Sequence, residues 1–126
     1  MTNKTMTNKL TPQQIKVLKE KGTEAPFSGK YVHHKEDGSY ACAQCDTPLF
    51  SSSAKFDSGS GWPSFYDVID KGNIKLRDDD SAGMKRAEVI CAACGGHLGH
   101  LFDDGPADKT GQRYCINSAA LNFQKK

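Results

Sequence analysis

Apolar positions in this chain come in short runs, and only one stretch carries helical spacing. Thr11 can serve as an N-cap, Pro12 suits the first helical position, and Gln14 lies three residues on to complete a capping box. Ile15 and Leu18 share a face and Gly22 suits a C′ position, so a short helix is predicted from this point. Beyond Gly22 the helical pattern fades. Residues 31–34, the Asp37-Gly38 pair and Tyr40-Ala41 read as a hairpin leading into a cysteine pair. Segments 74–77, 87–90, 113–118 and 121–123 alternate or cluster as short strands. Residues 51–53, 59–63 and 103–111 are too rich in Ser, Gly, Pro or Asp to be anything but loops. Many short strands beside one helix predict a mainly β domain.

At 126 residues the chain has room for one domain. Met-Thr-Asn-Lys at 1–4 recurs at 6–9, too polar to fold, which predicts a flexible leader over 1–10 and a single domain over 11–126. Met6 is a second candidate start. The net charge of +2 with scattered Lys and Arg gives no basic field for nucleic acid or an anionic membrane. No apolar run is long enough to span a bilayer, and the polar start shows no secretory h-region. An odd number of cysteines, four of them in close pairs, does not fit a secreted disulfide framework. A reducing cytoplasm, which keeps all five as thiol or thiolate, is the expected location.

The five cysteines divide four plus one. Cys42-x-x-Cys45 and Cys91-x-x-Cys94 each deliver two sulfurs from a short turn, and together they predict a tetrahedral thiolate cage for one zinc ion. Four cysteine ligands leave no open position, so the expected role is structural. One such pair alone could be a redox dithiol, but neither has the helix-opening context of that chemistry.

Cys115 remains. A lone cysteine is most often core filling. Here Arg113 and Asn117 flank it at a spacing that places all three on one strand face, too polar for plain core. The guanidinium is expected to favour thiolate. His97-Leu98-Gly99-His100 offers acid–base groups that titrate near neutrality. Trp62, the only tryptophan, sits in a Gly/Pro loop beside Ser64 and Phe65, where Gly59 and Gly61 permit sharp turns that would present it as a pocket wall. His33 and His34 read as ordinary hairpin residues.

Together these pieces resemble the methionine-R-sulfoxide reductases, the MsrB family, across almost the whole chain from Thr23 onward. The resemblance is carried by Thr23-Glu24-x-Pro26-Phe27, both cysteine pairs, Gly61-Trp62-Pro63-Ser64-Phe65, Gly96-His97-Leu98-Gly99-His100 and Arg113-Tyr114-Cys115-Ile116-Asn117-Ser118. It implies two antiparallel β-sheets forming a zinc-stapled β domain with a short N-terminal helix. It also implies reduction of the R epimer of methionine sulfoxide, free or in oxidised proteins. On that reading Cys115 attacks the sulfoxide sulfur and ends as a sulfenic acid, while His100 with His97 supplies the proton. Asn117 orients substrate or a water, Trp62 packs on the S-methyl group with Phe65 beside it, and Arg113 pairs with Asp104.

One departure stands out. Many members carry a resolving cysteine two residues before the tryptophan, where this chain has Ser60. Serine cannot attack a sulfenic acid to form a disulfide. As the sequence stands, an external thiol such as thioredoxin, glutaredoxin or glutathione would reduce Cys115 directly; a natural cysteine at 60 would instead pair with it. A monomer is the default expectation. Two other readings compete: a non-enzymatic zinc module binding protein or RNA, and a cysteine hydrolase using Cys115 and His100. The first lacks a basic aromatic face and the second an identifiable oxyanion hole.

Overall fold

In a computed structural model, residues 10–20, 22–79 and 86–125 are described; the leader expected over 1–10 falls, but for Leu10, outside them. Helix α1 (Pro12–Glu20) starts on the predicted capping box. The Thr11 N–H donates to Gln14 Oε1 (2.9 Å), and the Gln14 N–H donates to Thr11 Oγ1 (3.2 Å). Gly22 ends it by donating its N–H to the Lys16 carbonyl (2.8 Å), though without left-handed φ. The helix buries Val17 and Leu18 against the sheets.

Among the described residues nine strands follow: β1 (Gly38–Cys42), β2 (Pro48–Ser51), β3 (Lys55–Phe56), β4 (Ser64–Phe65), β5 (Ile74–Asp79), β6 (Arg86–Cys91), β7 (His97–Phe102), β8 (Arg113–Ile116) and β9 (Leu121–Lys125). They form a three-stranded sheet ordered β2-β1-β9 and a six-stranded sheet ordered β3-β4-β8-β7-β6-β5, all pairings antiparallel. This is the mainly β, two-sheet architecture that the resemblance implied. Tyr40 and Phe50 from the small sheet meet Phe65 and Tyr114 from the large one; Phe50 and Phe65 stack with centroids 4.4 Å apart. Leu49, Leu98, Ile116 and Leu121 complete the interior.

Residues 31–34 are not a strand. They turn, because β1 already has β2 on one edge and β9 on the other, leaving no edge for a hairpin partner. Their side chains join an aromatic cluster instead: His34 Nδ1 lies 2.7 Å from the Tyr40 hydroxyl, and the Phe123 N–H donates to the Tyr31 hydroxyl (3.0 Å). Among the described residues no helix is long and apolar enough to cross a membrane.

Candidate active site and metal centre

The two cysteine turns share one hydrogen-bond plan. In the first, the Asp46 N–H donates to the Cys42 carbonyl and the Cys42 N–H to the Thr47 carbonyl. In the second, Gly95 donates to Cys91 and Cys91 to Gly96 in the same way. Asp46 and Gly95 occupy equivalent left-handed positions, at φ 63° and 76°. All four sulfurs lie within 4.8 Å of one another, with Cys42–Cys94 and Cys45–Cys91 at 3.6 Å. Zinc–thiolate bonds of about 2.3 Å in a tetrahedron demand sulfurs about 3.8 Å apart, so the site fits zinc. The protons tell the same story. Hydrogen bonding to Cys91 and Cys94 pushes the Cys42 thiol up, while hydrogen bonding from Cys42 pulls Cys94 down to about 2. Sulfurs crowded this closely are ones whose protons a dication would replace. Since Cys42 ends β1 and Cys91 ends β6, the cage ties the two sheets together.

Cys115 lies on β8, opposite Ser64 of β4 on one side and His100 of β7 on the other. The register carries this row onward to Glu88 of β6 and Arg77 of β5, so the large sheet presents Ser64, Cys115, His100, Glu88 and Arg77 along one line. Between Val89 and Ile90 the β6–β7 register slips by one, leaving Leu98 unpaired and turning His97 onto the face of His100. The two rings stand 5.4 Å apart, edge to face. Gly99 lets the strands meet: a Cβ there would lie 2.0 Å from the Cys115 carbonyl oxygen.

A cavity opens over this row, bordered by Ser60, Trp62, His100, Arg113, Cys115 and Asn117, with Thr23, Arg86, Gly99 and Phe102 completing its wall. Trp62 is fixed by its indole N–H donating to the Glu24 carbonyl (3.0 Å). Gly61 before it has φ 95° and hugs Pro26 and Phe27, at a distance no side chain would allow. Arg113 binds Asp104 through two hydrogen bonds (2.8 and 3.2 Å) and lays its guanidinium over the Phe102 ring (4.4 Å). His100 Nε2 lies 2.8 Å from Asp79 Oδ2, itself 3.5 Å from Arg86.

Phe65, His97 and Asn117 are held chiefly by the protein interior. Phe65 is fully buried against Phe50 and Tyr40 and does not border the cavity. His97 is buried too, its Nδ1 2.7 Å from Glu88, so it stands behind the site rather than in it. Asn117 reaches the cavity wall, but its amide is committed: Oδ1 accepts the Glu24 N–H and Nδ2 donates to the Leu98 carbonyl, both at 3.0 Å. Burial pushes the Cys115 thiol up, and the opposing pull of Arg113 and of the Ser60 hydroxyl does not overcome it. The guanidinium itself acts in the expected direction, toward thiolate. Sequence reasoning missed Glu24, Asp79, Glu88 and Arg86 as site-shaping groups.

A tetrathiolate staple joining two β-sheets, with a separate thiol facing an imidazole across a strand seam, defines a metal-stapled β domain with a thiol site of its own. The chain belongs to the SelR domain family, which it matches over residues 10–125. It is 59% identical over 117 residues to a peptide methionine sulfoxide reductase MsrB of Methanosarcina mazei, covering 93% of this chain and 83% of that protein. It is 60% identical over 115 residues to the mouse methionine-R-sulfoxide reductase B3, mitochondrial, covering 91% of this chain and 45% of that protein. The family resemblance drawn from the motifs is thus borne out. The crystal structure of a Mis18 "Yippee-like" domain shares the fold, with a TM-score of 0.57 at 14% identity over 72% of this chain and 98% of that one.

Proposed function

We infer that this protein reduces methionine sulfoxide, acting on the R epimer with Cys115 as nucleophile. The observation that carries the reading is the Cys115–His100 cross-strand pair under the Trp62 wall, in a chain whose relatives are named as such reductases. Cys115, as thiolate, attacks the sulfoxide sulfur. The oxygen transfers to Cys115 as the S–O bond of the substrate breaks, one proton is taken up, and methionine leaves with Cys115 as sulfenic acid. His100, braced by Asp79, delivers that proton from the ring nitrogen turned away from the carboxylate. Trp62 offers an apolar face for the S-methyl group, and Arg113 adds positive potential near the sulfur. His97 and Asn117 act as positioning residues, the first against His100 and the second between Glu24 and Leu98. Two equivalents of an external thiol, from thioredoxin, glutaredoxin or a small thiol, then restore Cys115 and release water and a disulfide. All five cysteines are free, which suits a reducing compartment. The four remaining cysteines would hold one zinc ion, which lends rigidity and takes no part in the chemistry.

The test is reduction of dabsylated methionine-R-sulfoxide by dithiothreitol, with the S epimer as control. Wild type should reduce the R form, Cys115→Ser should not, and His100→Asn should lower kcat by about a hundredfold or more with little change in KM. An inert wild type, or a fully active Cys115→Ser, would refute the assignment.

A further inference from the structure

Ser60 stands where a resolving cysteine is absent, yet its hydroxyl is built into a chain. Ser60 borders the same cavity as Cys115, and its hydroxyl draws the Cys115 thiol down. Behind it, Ser60 Oγ lies 2.7 Å from Ser58 Oγ, which lies 2.7 Å from Ser64 Oγ, and the Ser64 hydroxyl reaches the Trp62 carbonyl at 3.2 Å. The Ser60 N–H also donates to Ser58 Oγ (3.3 Å), holding the turn closed. Ser64 is fully buried and is the register partner of Cys115, so the inner end of the chain sits on β4, paired with the strand that carries the nucleophile.

Each serine has one proton to give. With Cys115 protonated, its S–H can donate to Ser60, Ser60 to Ser58, Ser58 to Ser64, and Ser64 to the Trp62 carbonyl. With Cys115 as thiolate, the sulfur only accepts. The chain then runs the other way, from Ser64 through Ser58 and Ser60 to the sulfur, every hydroxyl co-directed and each polarising the next. The Trp62 carbonyl can neither supply nor remove a proton. The hydroxyls therefore only turn, and the Cys115 proton leaves through the cavity.

We propose that Ser60, Ser58 and Ser64 form a reversible hydroxyl chain whose polarity follows the charge on Cys115 and which stabilises its thiolate. Ser60 is the group in contact with the reacting sulfur; Ser58 and Ser64 are positioning residues acting through it. The same donor would serve the oxygen of a Cys115 sulfenate, so replacing a resolving thiol by serine exchanges disulfide formation for anion stabilisation. The other charged or titratable groups facing Cys115 are Arg113 with Asp104, His100 with Asp79 behind it, and Arg86 at the cavity wall. Arg113 is engaged by Asp104 and His100 by Asp79, so their contribution is common to all the variants below.

The proposal rests on Cys115 being the reductase nucleophile only for its purpose; its test needs no sulfoxide, so its failure and that of the reductase assignment are separable. Zinc-loaded wild type, Ser60→Ala, Ser60→Thr and Ser58→Ala are pulsed with iodoacetamide over a pH series, and modification is read at the Cys115 peptide by mass spectrometry. Losing a hydrogen bond to a charged acceptor should move the Cys115 titration upward by about one pK unit or more in Ser60→Ala. Ser58→Ala should shift it upward by less, and Ser60→Thr, which keeps the hydroxyl, should stay near wild type. An unmoved or lowered titration in Ser60→Ala overturns the proposal, as does a Ser60→Thr that behaves like alanine. Unchanged behaviour in Ser58→Ala overturns the chain, and that variant decides the matter should Ser60→Ala fail to fold.

Discussion

Glu24 holds two backbone N–H groups with its carboxylate and two side chains with its backbone. The carboxylate accepts from Ser118 (2.8 Å) and Ala119 (3.0 Å), its N–H donates to Asn117, and its carbonyl receives Trp62. Glu24→Ala leaves those amides unpaired in a buried setting. It should cost about 3 kcal/mol and lower the melting temperature by roughly 10 °C in calorimetry; an unchanged melt would show that the clamp bears no load. Phe65 makes the contrary case. Phe65→Leu should cost about 1–2 kcal/mol in urea denaturation with KM for the sulfoxide unchanged. A raised KM at full stability would return it to a substrate role. The reasons for reading these residues differently are physical. Phe65 shares a motif with Trp62, but in β4 consecutive side chains face opposite ways, so Ser64 meets the Cys115 row and Phe65 the core. Glu24 and Asp79 act on partners 93 and 21 residues away, and no local pattern announces such contacts. Cys115, His100, Trp62 and Arg113, singled out by residue type and spacing, do border one cavity.

Among the elements, helix α1 was legible from its capping box, and the strand predictions over 74–77, 87–90, 113–118 and 121–123 fell on β5, β6, β8 and β9. Strand β7 was not: His97-Leu98-Gly99-His100 alternates poorly, since a bulge interrupts it and a glycine fills its closest approach to β8. Residues 31–34 misled in the other direction, their β-branched and aromatic character serving a cluster rather than a strand. The matched cysteine turns permit a sharper test. At Asp46 the backbone adopts a left-handed φ that its counterpart gives to glycine. Asp46→Gly should leave the urea midpoint of the zinc-loaded protein nearly unchanged, whereas Asp46→Val should cost about 1–2 kcal/mol. Equal midpoints for the two variants would mean that the turn relaxes.

For the molecule as a whole, the cage ties together two sheets that also meet through packed aromatic and aliphatic side chains. Binding energies of structural tetrahedral zinc sites, about 10–16 kcal/mol, rival the total stability of a domain, about 5–15 kcal/mol. Chelation should therefore loosen both sheets together, with loss of near-ultraviolet circular dichroism and of amide protection in β1 and β6. It should also silence Cys115, because β7 begins just beyond Cys94. Identical melts for zinc-loaded and stripped protein would sink this. Elemental analysis should find about one zinc per chain. The two-sheet architecture was legible only through the family resemblance; strand order depends on pairings such as β1 with β9, which join distant parts of the chain.

The matched turns also bear on how the chain first organises. Each brings two sulfurs together within a few residues, whereas joining Cys45 to Cys91 closes a stretch of 46 residues. Loop-closure entropy makes the bond within each pair easy and falls mainly on the one long closure that joins the pairs. A nascent molecule can thus acquire its ion as a small local chelate, and the long closure follows with the metal already aboard, acting as a seed around which the sheets assemble.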